Sequence, residues 1–81
     1  MAGDRLQDLI AYIASSLVDE PDAVEVNVVD EDRAIVLELT VAPDDLGKVI
    51  GKEGRTARAM RTLLSATSAR MRKRAILDIL E

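Results

Sequence analysis

Cysteine and histidine are both missing from the 81 residues. Their absence removes disulfides, thiol nucleophiles, imidazole acid–base chemistry and zinc sites of the Cys/His kind in one step. Aromatic side chains are almost missing as well, Tyr12 being the only one. A protein that stacks bases on Phe, Tyr or Trp platforms cannot be built from this inventory. Any nucleic acid must therefore be met with backbone, aliphatic surface and cations. Charged residues interrupt every apolar run, so no spanning helix or signal peptide is expected, and a soluble cytoplasmic protein without membrane association is. At this length one domain over residues 1–81 is expected, with a core of modest stability that makes a dimer interface or a larger partner unsurprising. No cofactor is implied.

The formal charge is −4, which taken as a total speaks against a polyanionic partner. The distribution speaks for one. Residues 1–45 hold only Arg5 and Arg33 against twelve acids, whereas residues 46–81 hold nine bases against Glu53, Asp78 and Glu81. A polyanion senses the local patch, because screening over roughly 8–10 Å hides distant charge at physiological salt.

Hydrophobic spacing predicts the elements. In residues 4–18, Leu6, Leu9, Ile10, Ile13 and Leu17 fall on one stripe of a helix, with Asp4 in its first turn and Pro21 beyond its end. Val24, Val26 and Val28 alternate with polar residues, as do Ile35, Leu37, Leu39 and Val41, which predicts two strands joined by the polar turn "DEDR" at 30–33. Pro43, Asp44 and Asp45 suit the start of a short helix whose apolar side is Leu46, Val49 and Ile50. A second helix begins near Gly54 and runs to about Arg70, with Ala57, Met60, Leu64, Thr67 and Met71 toward the core and Arg55 and Arg58 roughly opposite. "RAILDIL" (74–80) reads as a last strand with Ala75, Leu77 and Ile79 on one face and Ile76 and Leu80 in need of cover. The order helix, strand, strand, helix, helix, strand makes an α+β two-layer sandwich, a three-stranded sheet covered on its apolar face by three helices.

Between the last two helices lies "GKEG", Gly51 to Gly54. Glycine costs roughly 1 kcal/mol relative to alanine within a helix, so two of them mark a deliberate break. Gly51 suits a left-handed helix cap. Gly54 turns the chain into the next helix and leaves no side chain to hold a ligand off the backbone. The first amides of that helix are donors at the positive end of its dipole, and Lys52 and Arg55 add cations. Taken alone, the four residues are more readily a tight joint between helices, because short glycine patterns are common. "GKVIGKEGR" lacks the spacing and the Ser/Thr of a P-loop, and "DEDR" lacks the spacing of an EF-hand.

The wider stretch is more specific. "VIGKEGRTARAMRTLL" resembles the signature of a KH domain, an Ile-Gly-x-x-Gly loop joining two helices, and the element order resembles the bacterial type II KH fold. Over the whole chain the likeness is to the small stand-alone bacterial KH proteins of the KhpA kind, whose shared run P-D-D-x-G-K-V-I-G-K-x-G-R is present as Pro43 to Arg55.

The resemblance implies single-stranded RNA or DNA binding, RNA above all, without catalysis or a small-molecule substrate. Gly51, Lys52, Glu53 and Gly54 would clamp the sugar-phosphate backbone. Leu46, Val49, Ile50 and Ala57, with Val41 as a further wall, would form an aliphatic groove for the bases. Lys48, Arg55 and Arg58 would make flanking phosphate contacts. Glu53 departs from this logic by placing a carboxylate beside the phosphates, and Ala57 makes the groove shallow. The resemblance further implies an RNA-chaperone or post-transcriptional role, as a homodimer or paired with a second KH protein of the KhpB kind. The rival is an interaction subunit that uses the fold to dimerise while its partner holds most of the RNA.

Overall fold

The structure, a computed structural model, describes residues 2–81. Helix α1 (Ala2–Leu17) leads into β1 (Glu25–Asp30) and β2 (Ala34–Thr40), followed by α2 (Leu46–Ile50), α3 (Arg55–Ser68) and β3 (Arg74–Ile79). Short 3₁₀ turns at Pro21–Ala23, Pro43–Asp45, Lys52–Gly54 and Ala69–Met71 link them. The sheet is mixed, in the order β1-β2-β3, with β1 antiparallel and β3 parallel to β2. A parallel pair needs a crossover, and the α2–turn–α3 unit supplies it. Three helices and three strands in this order form the α+β sandwich of the type II KH arrangement.

The core is aliphatic. Leu6 and Ile10 of α1, Leu37 and Leu39 of β2, Val49 of α2 and Met60 and Leu64 of α3 are fully buried against one another. Tyr12 takes no part, being 74% exposed. On α1 the third buried position is Ala14, while Leu9 and Ile13 are half-buried and Leu17 is exposed. On α3, Thr67 is exposed and Ser68 is buried instead. The buried set Ala57, Met60, Leu64 and Ser68 is centred near Leu64, about 40° round from Met60 at 100° per residue. That offset turns Thr67 outward, where its hydroxyl donates back to the Leu63 carbonyl at 2.8 Å. On the open face of the sheet Val29, Val36 and Ile76 share one register row, and Val29 and Ile76 are exposed.

One charged group lies inside this apolar frame, besides the Ser68 hydroxyl. Asp45, 2% exposed, accepts the backbone N–H groups of Asp19 at 3.2 Å and Glu20 at 3.0 Å. Lys48 donates to Asp45 at 3.1 Å and to Asp19 at 2.9 Å. The clamp ties the end of α1 to the start of α2. Lys48, expected beside phosphates, is thereby committed to a structural pair. Burial pushes the Asp45 carboxyl up, but the Asp19 amide, the Lys48 ammonium and the Glu20 amide together outweigh it and leave it below its ordinary 3.8. Hydrogen bonds to Asp19 and Asp45 raise Lys48 above 10.5.

The signs set a pH window. Asp45, depressed in the folded state, contributes stability above pH 3.8 that disappears as pH falls through its folded value. Lys48, raised in the folded state, contributes stability below pH 10.5 that disappears as pH rises through its own. Asp45→Asn is therefore expected to melt below the wild type across the neutral range, with the gap narrowing in acid as the wild type loses its own carboxylate. Thermal melts followed by circular dichroism at neutral and acid pH measure both.

Candidate nucleic-acid interface

Helix α2 is only five residues long, too short to persist without tertiary support. Val49 anchors it in the core and Lys48 fastens it to Asp45 and Asp19. It delivers the chain to Gly51, whose N–H bonds the Gly47 carbonyl at 2.8 Å. Gly51 does not take the left-handed cap its position suggests. Its φ of 79° and ψ of 169° lie in an extended mirror-image region open essentially to glycine alone. A Cβ there would strike the Thr56 side chain and come within 2.8 Å of the Thr56 backbone nitrogen.

Glu53 (φ 58°, ψ 24°) and Gly54 (φ 74°, ψ 15°) are left-handed, so the α-helix begins at Arg55. The Gly54 and Arg55 amides are already used, bonding the carbonyls of Gly51 and Lys52. The donors one step earlier, the amides of Lys52 and Glu53, open the 3₁₀ turn, the position at which a helix start leaves N–H groups without an intrahelical acceptor. The Lys52 and Glu53 side chains are exposed. Arg58 donates to the Glu53 carbonyl at 3.3 Å and steadies the turn. Arg55 meets the Glu53 carboxylate at 3.5 Å, both largely exposed, a pairing worth little in water. The acid in the loop thus partly offsets its neighbouring arginine.

Beside the loop is a groove of about 500 Å³ lined by Ile50, Gly54, Ala57, Arg58, Arg61 and Ile79, with Glu81 at its rim. Ala57, 4% exposed, is its floor. Of the residues expected at the site, Gly51, Lys52, Glu53, Gly54 and Arg55 form the loop and its exit. Ile50, Gly54, Ala57 and Arg58 line the groove. Val49 is fully buried and Val41 nearly so, and Leu46 packs against the core; these three lie outside the groove lining. Lys48 is held in the Asp45 clamp.

Three lining residues escape the sequence reading. Arg61 has a visible signal, the i+3 spacing from Arg58 along one helix face, and it donates to the Leu77 carbonyl at 3.4 Å. Ile79 and Glu81 have none. They reach the groove because β3 pairs parallel to β2, with Ile79 beside Leu39, and alternation within a strand does not reveal its direction.

The family model described as the KH domain of KhpA and KhpB matches residues 7–79. RNA-binding protein KhpA of Caldanaerobacter subterraneus is 52% identical over 73 residues, 90% of this chain and 97% of that protein. The protein of the same name from Clostridium acetobutylicum is 48% identical over 75 residues, 93% and 100% of the two chains. That of Aquifex aeolicus is 47% identical over 76 residues, covering 94% and 96%.

The loop geometry ranks three substitutions. Gly51→Ala is expected to cost about 2–3 kcal/mol, since it adds a backbone clash to a disfavoured φ. Gly54→Ala, where a Cβ meets nothing, is expected to cost only about 1 kcal/mol for its left-handed backbone. Glu53→Gly is expected to gain up to about 1 kcal/mol. Urea denaturation of the three variants measures the order.

Proposed function

The chain belongs to the KH-domain family of KhpA and KhpB, and on that footing we propose that it binds single-stranded RNA without catalysing a reaction on it. One observation carries the reading: the Lys52–Gly54 turn at the start of α3 opens beside an apolar-floored groove walled by Arg58 and Arg61. The two parts suit the two parts of a nucleotide. Phosphates seat against the turn, where two amides, Lys52 and Arg55 supply donors and positive charge. Bases lie over Ala57, Ile50 and Ile79, whose aliphatic surface takes the place of aromatic stacking.

Only Arg58, Arg61 and Glu81 bring polar side chains to the groove, so few base edges are read and binding tolerates many sequences. Such tolerance suits an RNA chaperone or a broad post-transcriptional regulator. Lys52, Arg55, Arg58 and Arg61 give four cations to the path, and counterion release at about 0.7 per contact predicts a log–log salt slope near −3.

The test compares labelled single-stranded RNA binding by the wild type and by a Lys52→Asp, Glu53→Asp variant at low and moderate salt. Aspartate tolerates the left-handed conformation at position 53 better than glutamate, so the variant is expected to fold. It is expected to bind tenfold or more weakly, since a charge-assisted contact contributes on the order of 1.5 kcal/mol. Equal affinity of the two folded proteins would remove the loop from the site.

A further inference from the structure

A second concavity, of about 640 Å³, lies at the opposite end of α3. Its polar lining is Arg33, Ser65, Ser68, Arg72, Lys73 and Arg74, four cations and no carboxylate. The parallel register builds it. Ala34 of β2 lies beside Arg74 of β3, and the Arg74 N–H bonds the Arg33 carbonyl at 3.1 Å, so the β1–β2 turn and the α3–β3 turn sit together. Lys73 is paired with Asp30. The guanidinium groups of Arg33, Arg72 and Arg74 have no side-chain hydrogen bond or ion pair among the described residues.

A purely structural part for these arginines would be to satisfy the last carbonyls of α3 and oppose its dipole. The carbonyl-bonding half of that part is unmet, since these three side chains make no such bond, and the dipole half needs only proximity, which leaves the guanidinium donors available to a ligand. Arg72 also sits at φ 58°, where glycine fits without strain. Among the described residues, only Glu53 and Arg72 of the non-glycines have positive φ, one before α3 and the other after it. Arg72 is the left-handed cap that ends the helical run, and a residue other than glycine there carries strain of the kind that collects at binding sites.

The two concavities share one seam. Ile79 at the end of β3 lines the first and Arg74 at its start lines the second, and Arg61 crosses between them to the Leu77 carbonyl. The 14 residues of α3 put their centres about 20 Å apart at 1.5 Å per residue. We propose that Arg33, Arg72 and Arg74 form a second, sequence-blind phosphate site that extends the RNA path along the α3–β3 seam beyond the nucleotides held at the loop. The proposal rests on the RNA-binding reading. An RNA of about four nucleotides, the span a KH loop clamps, stops short of it, and a longer strand reaches it.

The test measures affinity against salt for a short and a long single-stranded RNA of uniform sequence. A longer strand offers more binding registers, which raises affinity without steepening the salt slope, so the slope decides. For the wild type the long strand is expected to have a slope steeper by about 2, three contacts at about 0.7 each. The variant Arg33→Ser, Arg72→Gly, Arg74→Thr suits the local turn, the positive φ and the exposed strand position, and is expected to fold. It should return the long strand to the short-strand slope and leave short-strand binding unchanged, while replacing all three with lysine keeps the steep slope.

Equal slopes for both lengths in the wild type overturn the proposal, as does a triple variant that keeps the steep slope. A folded triple variant that loses the short strand as well overturns it too, by placing the arginines in the first groove. A loop variant that still binds the short strand refutes the loop reading alone, because the difference in slope between lengths remains measurable. A wild type that binds neither strand removes the RNA reading and this site with it.

Discussion

The Asp45 carboxylate is the contact on which the proposed binding surface depends. It is a buried anion in a frame made almost wholly of leucine, isoleucine, valine, alanine and methionine, and its ligands come from both sides of it in the chain. Two are amides that the chain leaves unpaired as it departs from α1. The third is the ammonium one turn into α2. A helix of five residues has no orientation of its own, so the direction in which α2 points its C-terminus is set by this carboxylate below and Val49 behind. Everything at the glycine turn inherits that direction. Removing one partner from such a group leaves buried donors with nothing to bond, which costs more than the hydrogen bonds themselves contribute.

What the sequence disclosed follows from periodicity. Alternation at Val24–Val28 and Ile35–Val41 identified two strands, and the stripe from Leu6 to Ile13 identified α1. Gly51 and Gly54 marked the turn because few other residues have positive φ. What stayed hidden depends on contacts made across the fold. Lys48 looks like a solvent-facing cation until Asp45 is found buried beneath it. Val49 looks like a groove wall until α2 is seen to press it into the core. Ile79 and Glu81 could not be placed without the parallel register, and Thr67 was misjudged because a helix is oriented by its whole buried set rather than by its largest side chain.

Charge and shape divide the labour. The acids of residues 1–45 and the bases of residues 46–81 belong to different elements, so the turn, α3 and the start of β3 present a basic seam on a protein of net negative charge. The acidic remainder favours solubility and discourages indiscriminate adhesion to polyanions. Near the turn Glu53 and Arg55 temper each other, and under the proposed reading an aliphatic floor accepts any base to a similar degree. Specificity, on this plan, is traded for a surface that can be occupied and vacated readily.

The parallel pairing of β3 has a kinetic consequence. β1 and β2 are joined by a short turn and α1 precedes them directly, so the hairpin and its covering helix can assemble through near neighbours in the chain. β3 must instead close a loop over residues 41–73, an entropic cost on the order of 3 kcal/mol that grows only slowly with length. Contacts of such separation form late. The groove is built from both sides of that closure, from Ile50, Ala57 and Arg58 on one and Ile79 on the other. A nascent chain therefore acquires its hairpin before this groove. In the finished protein, a fluctuation that lifts the edge strand β3 dismantles the groove while leaving α1, β1 and β2 in place.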